Sequence, residues 1–242
     1  MAKIHMMLQG KGGVGKSFGC STLAQFYAFK GHAVKCIDTD PVNATFAGYE
    51  ALSVERLELM NQAKQINPRN FDSLIQTIST TQCDIIIDNG STSFVPLTHY
   101  LISNQVPALI KEMGHELIIH SVVTGGQALF DTVSGLGQLA SQFPQEAEFM
   151  VWLNPFWGVI EHDGKTFEQM RAFKDNKHRI SSIIHVPTLD PDTFGQDLSH
   201  MLQDRVTFEQ ALNDPNLTIM NRQRLKLIRT QLFAQLETAG VI

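Results

Sequence analysis

The residues of this chain with the clearest chemical potential lie at 10–17 and read GKGGVGKS. Glycine has no Cβ, so a glycine-rich backbone can turn several N–H groups towards an anion. Four of these residues fill the pattern G-x-x-x-x-G-K-[ST], in which the lysine contacts the β and γ phosphates of a nucleotide and the hydroxyl binds Mg²⁺. The sequence therefore predicts a nucleotide-binding loop made of Gly10, Lys11, Gly12, Gly13, Val14, Gly15, Lys16, Ser17 and Phe18.

Lys11 occupies a position that the general pattern leaves unspecified. A lysine there has no role in catalysis by an ordinary phosphate-binding loop. The segment from Lys11 to Ser17 resembles the signature KGGxGK[ST] of the deviant Walker A ATPases of the ParA/MinD family. In that family the extra lysine reaches across a two-fold interface to the partner's ATP, so the resemblance implies that ATP binding and dimerisation are coupled. It also implies that Lys11 and Lys16 act in catalysis. The alternative is an exposed, solubilising lysine.

A second group of residues that could take part in catalysis or metal binding follows the next predicted strand. Residues 38–46, DTDPVNATF, resemble the DxDP segment of the same family. By that resemblance Asp38 ends the strand near the metal, and Asp40 lies in a switch loop where it orients or deprotonates the attacking water. A carboxylate suits this task because it accepts hydrogen bonds from water. The alternative for Asp40 is an ordinary turn before Pro41.

Asp88 ends a further apolar strand and is followed by Asn89 and Gly90. It is placed like a Walker B aspartate, which holds Mg²⁺ directly or through water. Gly90 gives the backbone the freedom expected of a second switch. The predicted cofactors are thus ATP and Mg²⁺, and the predicted metal ligands are Ser17, Asp38 and Asp88.

Two weaker signals concern the nucleotide base. Asn154 follows a strand, and its position resembles that of the family's residue that reads the purine edge through its amide. Pro187 and the stretch 189–193 resemble the segment that packs over the base. Both positions also fit ordinary strand-ending turns, so this alternative stays open.

Alternating apolar segments predict the elements that position these residues. Strands are expected at 4–8, 34–38, 84–88, 117–123, 149–153 and 180–186, and helices at 17–30, 71–79, 127–143, 165–175 and 221–236. Several strands are apolar on both faces, as in a parallel sheet covered by helices on both sides. We therefore predict an α/β fold with a doubly wound, mostly parallel sheet, as a single P-loop domain over 1–242 with a C-terminal helix at about 217–238. The segment 52–67 fits either an edge strand or a helix.

Composition agrees with one large core. The chain has 242 residues, of which 43% are hydrophobic, and its net charge of −5 argues against a protein that coats nucleic acid with its whole surface. No apolar run is long enough to span a bilayer and the N-terminus shows no signal peptide, so we expect a cytoplasmic protein. The cysteines and histidines form no metal-binding pattern, so no structural metal is expected.

Outside the ATPase core the sequence resembles the TraL proteins of conjugative plasmids. The segments that carry this resemblance include VVTGGQAL at 122–129, VWLNPFWG at 151–158, IEHDGK at 160–165 and MLQDRVTFEQAL at 201–212. TraL proteins are ParA-like ATPases of DNA-transfer regions. The resemblance therefore implies a slow, partner-stimulated ATPase that forms a homodimer with ATP and recruits or positions conjugation or relaxosome proteins.

Other functions remain open at this level. One is a plasmid partition ATPase or a nucleotide-dependent module that binds non-specific DNA, and another is a P-loop kinase of small molecules. Basic residues at 222–229 begin a C-terminal helix, and Arg171, Lys174, Lys177 and Arg179 form a second basic cluster that could join a DNA-binding face. The C-terminal helix reads best as one docked on the domain, and we do not expect membrane binding.

Overall fold

The computed structural model describes residues 1–61 and 63–242. In these residues a seven-stranded sheet has the order β3-β2-β4-β1-β5-β6-β9, and every neighbouring pair is parallel. The strands are β1 (Lys3–Met7), β2 (Val34–Asp38), β3 (Glu55–Arg56), β4 (Asp84–Asp88), β5 (Glu116–Thr124), β6 (Ala147–Asn154), β7 (Glu161–His162), β8 (Lys165–Thr166) and β9 (Ile180–His185). The short strands β7 and β8 form a separate antiparallel hairpin.

Helices connect the strands and cover both faces of the sheet. They are α1 (Lys16–Lys30), α2 (Asn70–Thr80), α3 (Phe94–Ser103), α4 (Val106–Glu112), α5 (Leu129–Gln142), α6 (Arg171–Asn176), α7 (Phe194–Gln203), α8 (Phe208–Asn213) and α9 (Ile219–Ala239). Short 3₁₀ turns lie at Phe46–Gly48, Glu50–Leu52, Gly126–Ala128, Pro155–Trp157, Phe167–Gln169 and Lys177–Arg179. The predicted α/β fold class is confirmed.

The core has two halves because side chains alternate between the faces of a strand. Ile4 and Met6 of β1 pack on one face with Ile85 and Ile87 of β4, beneath α2 to α5. Met7 of β1 and Ile86 of β4 point the other way and belong to a second cluster beneath α1, α7, α8 and α9. Strands that are apolar on both faces are thus explained by a helix layer on each side.

The main difference from the predicted elements lies at 165–175, where the expected helix is wrong over its first half. Lys165–Thr166 is a strand of the hairpin, because Asp163 and Gly164 take positive φ and turn the chain back. Thr166 and Gln169 then cap a 3₁₀ turn, and the α-helix begins only at Arg171. The ambiguous segment 52–67 contains the edge strand β3, and Gln62 within it lies outside the described residues.

Three residues of the basic clusters, Arg179, Arg224 and Arg229, are engaged within the fold. The Arg179 guanidinium is buried and donates to the carbonyls of Ala140, Phe143, Pro144 and Ala147 at 2.7–3.0 Å. It therefore ties the end of α5 to β6 and does not belong to an exposed basic face. In α9, Arg224 pairs with buried Asp197 at 2.5 Å, and Arg229 stacks over Phe29.

The apolar face of α9 is docked on the sheet, with Leu225, Ile228, Leu232 and Leu236 all buried. This agrees with the docked-helix interpretation of the C-terminal segment. In the part of the chain that is described, no helix combines the length and apolarity needed to cross a membrane.

A chain of buried polar side chains crosses one half of the core. The Trp152 indole donates to His120 Nδ1 at 2.9 Å, so His120 carries its proton on Nε2 and donates to His5 Nδ1, also at 2.9 Å. His5 Nε2 then donates to the Tyr27 hydroxyl at 2.9 Å, which donates to Asp84 at 2.7 Å. The Tyr27 hydroxyl also lies 3.1 Å from the carbonyl of Val241, a second acceptor. The hydrogen bonds of the two imidazoles are all satisfied only while both rings are neutral.

Acid should therefore weaken the fold through this histidine pair. Burial lowers the pKa of His5 from 6.5 to about 4, and burial together with His5 holds the pKa of His120 well below its usual value. Because the unfolded chain takes up these protons first, stability should be complete above about pH 6.5 and fall towards pH 4, by roughly 3 kcal/mol for His5 alone. Urea unfolding across this range measures the effect.

The double variant His5→Gln/His120→Gln separates this contribution from general acid denaturation. It should be less stable than the parent near neutral pH yet lose less stability between about pH 6.5 and 4. His32→Gln at an exposed position is the matched control and should follow the parent. Equal losses in the parent and the double variant would contradict the assignment.

Candidate functional site

The phosphate-binding loop lies where the strand order reverses. β1 is flanked by β4 on one side and by β5 on the other, and the chain crosses over on both sides of it. In open parallel sheets, ligands bind beyond the carboxyl ends of the strands at such a point. The loop 8–15 leaves the carboxyl end of β1 there and leads into α1 at Lys16.

The loop backbone is shaped for an anion. Gly13 has φ +73° and Gly15 has φ +103°, a conformation in which side chains are strained. Among the residues that the structure describes, no protein acceptor takes the amide protons of Gly13, Val14 or Gly15. Together with the start of α1 behind them, these amides form a nest for a phosphate group.

Lys16 lies inside this loop. Its Nζ donates to the carbonyl of Lys11 at 3.0 Å, and the residue is 8% exposed. Burial lowers the pKa of Lys16, whereas the carboxylates of Asp88 and Asp40 raise it. The ammonium is thus held within the loop, where phosphate oxygens would supply its missing partners.

Asp88, at the carboxyl end of β4, is buried, and its Oδ1 has no hydrogen-bond partner among the described residues. Burial raises the pKa of Asp88 to about 7, while a hydrogen bond from Ser17 lowers it. A buried, unpartnered carboxylate oxygen beside a hydroxyl is an oxygen donor set of the type that Mg²⁺ prefers. Ser17 and Asp88 therefore fit the predicted metal site.

Asp38 is placed differently. Its Oδ1 accepts from the amide of Asp40 at 2.9 Å and its Oδ2 from that of Ala47 at 2.8 Å. Burial raises the pKa of Asp38, and these two backbone hydrogen bonds lower it. Asp38 thus holds the loop 40–47 closed, and a bond to a metal would replace or share one of these contacts.

Asp40 faces Gly90 in the segment after β4. Its Oδ1 accepts hydrogen bonds from the amides of Val42 and Asn43 at 2.9 and 3.1 Å. These are the hydrogen bonds expected if Asp40 forms an ordinary turn with Pro41. The same carboxylate lies against Gly90, where a Cβ would come within 2.5 Å of Asp40 Cγ. Only glycine allows the two segments to approach so closely, and Asp40 is therefore fixed between them.

Lys11 points away from its own phosphate loop. Its Nζ pairs with Asp131 Oδ2 at 2.7 Å, and the two side chains are 44% and 58% exposed. Asp131 lies in the first turn of α5. Sequence reasoning missed Asp131, because nothing in the local pattern distinguishes an acidic residue with this role from one that favours a helix start.

Gln9 was also missed. It directly precedes the loop and is 1% exposed, and its Nε2 donates to the carbonyls of Val122 and Thr132 at 3.1 and 3.2 Å. Its Oε1 accepts from the amide of Lys11 at 3.3 Å. Gln9 thus anchors the start of the loop to β5 and α5. A polar residue between an apolar strand and a glycine-rich loop was the available signal.

A cavity of about 730 Å³ opens beside the loop, between the end of β6 and α7. Phe18, Asn154 and Pro187, the residues predicted for the base, all line it. The Asn154 amide is already engaged, since its Nδ2 donates to the carbonyl of Val14 at 2.9 Å and its Oδ1 accepts from Phe156 N at 3.2 Å. Asn154 therefore braces the loop in this structure, and its reading of a base remains a prediction.

A phosphate nest between a buried strand and a helix, at the switch point of a doubly wound sheet, defines a P-loop nucleotide-binding protein. Residues 5–223 match the CobQ/CobB/MinD/ParA nucleotide binding domain, and the chain belongs to that family. Two proteins of Escherichia coli, both called Protein TraL, are each 64% identical to it over 242 residues, which is 100% of this chain and 100% of theirs. The predicted likeness to TraL within the ParA/MinD family is confirmed.

Solved structures agree at the level of the fold. The MinD cell division protein of Aquifex aeolicus is 16% identical with a TM-score of 0.53, covering 96% of this chain and 97% of that one. The MinC:MinD cell division protein complex of the same organism gives 15% identity and a TM-score of 0.52, with 96% of each chain covered.

Replacing the buried carboxylate should stabilise the free protein. Because the folded pKa of Asp88 is about 7, folding opposes its ionisation, and stability should fall as pH rises from 3.8 to about 7. Asp88→Asn removes this cost and should be more stable than the parent near pH 8 by roughly 2–4 kcal/mol, and equal to it near pH 4. Urea unfolding of the nucleotide-free protein measures this difference.

Asp192→Asn, which neutralises an exposed carboxylate, is the matched control and should leave the pH dependence unchanged. An Asp88→Asn protein that is less stable than the parent near pH 8 would contradict the prediction, because it would show that the fold favours the ionised carboxylate.

Proposed function

We propose that this protein is an ATP hydrolase whose ATP-bound form is a homodimer, and that the dimer recruits or positions components of plasmid conjugative DNA transfer. The observation that carries the proposal is that the two lysines of the loop point in different directions. Lys16 fills its own phosphate site, whereas Lys11 extends outwards to Asp131. A cation at the mouth of the loop is available to a second molecule, and such a cation can stabilise the charge that develops in phosphoryl transfer.

The surroundings of the loop support a dimer. Exposed apolar side chains lie in four segments that each have a contact to the loop or to the Asp40 region: Val42 in the Asp40 loop, Val95 next to Phe94, Phe130 next to Asp131, and Phe156 and Trp157 after β6. Exposed apolar groups that cluster at one face are typical of an interaction surface. A second copy that covers this face would bury them and bring Lys11 to the partner's nucleotide.

The proposed hydrolysis uses residues that the sheet brings together. Asp40, fixed between the two switch segments, orients the attacking water or takes its proton. Ser17 and Asp88 would hold Mg²⁺, which would neutralise negative charge that develops on the phosphates. Because Asp40 is partly engaged by its own loop, we propose slow turnover that a partner protein stimulates.

The biological setting rests on the relatives. The identity of 64% to Protein TraL extends over the full length, including the hairpin and the loop after β6 that lie outside the phosphate site. We therefore propose that the protein acts in the cytoplasm with conjugation or relaxosome proteins and that hydrolysis resets the dimer. Arg179 and Arg224 are engaged in the fold, so a DNA-binding face built on them has less support.

Substitution of the two lysines should separate binding from dimerisation. Lys16→Ala should abolish ATP binding, because it removes the only side-chain cation of the described loop that lies inside the phosphate site. Lys11→Ala should bind a non-hydrolysable ATP analogue with nearly the affinity of the parent but remain a monomer. Calorimetry measures binding, and light scattering coupled to gel filtration measures mass.

Asp131→Ala is the matched control for Lys11→Ala, because both break the same ion pair but only the latter removes the cation. It should dimerise with the ATP analogue as well as the parent or better. Full dimerisation of Lys11→Ala would overturn the role given to Lys11, and a parent that stays monomeric at saturating analogue would overturn the proposed dimer.

Asp40→Asn tests the proposed hydrolysis. The amide keeps an oxygen for the amides of Val42 and Asn43 but cannot accept a proton, so turnover should fall about 100-fold while ATP-dependent dimerisation persists. Phosphate release at saturating MgATP measures it, with exposed Asp204→Asn as the control. Unchanged turnover would leave Asp40 with the turn alone.

A further inference from the structure

The loop that follows β6 is attached to the phosphate-binding loop at two consecutive carbonyls. The Trp157 indole Nε1 donates to the carbonyl of Gly13 at 3.1 Å, and Asn154 Nδ2 donates to that of Val14 at 2.9 Å. Trp157 is nevertheless 57% exposed, so burial alone does not account for its position. Its ring also meets the edge of Phe156 at a centroid distance of 4.9 Å.

These two hydrogen bonds fix the directions of two amide protons. In a trans peptide the C=O and the following N–H point in opposite directions in one plane. A carbonyl of Gly13 that is held towards Trp157 therefore directs the N–H of Val14 to the opposite side, and the bond from Asn154 does the same for the N–H of Gly15. Both amides belong to the phosphate nest and have no protein acceptor among the described residues.

The loop after β6 is also held on its other side, by close contact with Gly125 and Gly126. A Cβ on Gly125 would overlap the carbonyls of Gly158 and Val159, and a Cβ on Gly126 would overlap the carbonyl of Trp157. The loop after β6 therefore packs directly against the backbone of the Gly-Gly pair that follows β5. Trp157 lies between this pair and the phosphate-binding loop.

We propose that Trp157 is a positioning residue that, together with Asn154, orients the Val14 and Gly15 amides for the phosphates of the nucleotide. The inference rests on the proposed use of ATP at this loop and adds a residue that lies outside the loop motif. Oriented amides lower the cost of reorganising the loop around an anion, so Trp157 contributes to affinity for phosphate and not to contact with the base.

The test compares phosphate binding in variants that keep or lose the indole N–H, all in the Lys11→Ala background so that dimerisation does not contribute. Trp157→Phe keeps an aromatic ring but removes the donor. It should lower the affinity for a non-hydrolysable ATP analogue by about 2- to 10-fold, the range expected for the loss of one hydrogen bond. The affinity for inorganic tripolyphosphate, measured by its displacement of a fluorescent ATP analogue, should fall by the same factor.

Phe156→Leu is the matched control, since it alters the neighbouring exposed aromatic and leaves the bond to Gly13 in place. It should change tripolyphosphate affinity by less than about 2-fold. The change in tryptophan emission on adding the ATP analogue should disappear in Trp157→Phe, because the remaining Trp152 is buried in the core at 1% exposure. Thermal unfolding should be nearly the same for all three proteins.

Unchanged tripolyphosphate affinity in Trp157→Phe would overturn the inference, even if binding of the ATP analogue weakened, because the effect would then lie at the base. Failure of tripolyphosphate to displace the nucleotide would also count against it. These results are distinguishable from failure of the proposed dimer, which is read from the mass of the parent protein with Lys11 intact. If the parent binds no nucleotide, the inference and the proposed function fall together.

Discussion

The structure of the site depends on how the charge of Lys16 is balanced inside the protein. Lys16 is 8% exposed as a residue and its ammonium donates one hydrogen bond to a carbonyl, so the carboxylates of Asp88 and Asp40 offset only part of the cost of burying this charge. Asp88 ends β4, which pairs with β1, and Asp40 follows β2, which pairs with the other side of β4. The parallel order of β2, β4 and β1 thus brings both carboxylates to the edge of the sheet where Lys16 lies.

Close approach also requires glycine at positions far apart in sequence. Gly90 allows the Asp40 carboxylate to lie against the segment after β4, and Gly125 and Gly126 admit the loop after β6. Each contact brings backbone or carboxylate atoms closer than any side chain would permit. The nucleotide site is thus assembled from backbone surfaces, and its charged side chains occupy the gaps that remain.

The phosphate-binding loop, the order of the elements and the approximate ends of the central strands could be predicted, because each leaves a local pattern in the sequence. The Lys11–Asp131 pair and the contact of Trp157 with Gly13 could not, since they join residues more than a hundred positions apart. The hairpin at 161–166 was not predicted, because helix-forming residues follow it directly and its turn at Asp163 and Gly164 depends on two positive φ angles. Arg179 looked like a surface cation, and only the packing of α5 against β6 shows that its guanidinium is used inside.

The burial of Arg179 has a consequence for how α5 can respond to events at the phosphate loop. Arg179 holds the carbonyls of Ala140 and Phe143 at the far end of this helix, and Gln9 holds that of Thr132 near its start. The Lys11–Asp131 pair lies in the turn ahead of Thr132, where Phe130 packs edge-on against His162 of the hairpin at a ring-centroid distance of 4.6 Å. Departure of Lys11 from Asp131 would therefore act first on this contact between α5 and the hairpin, ahead of both attachments.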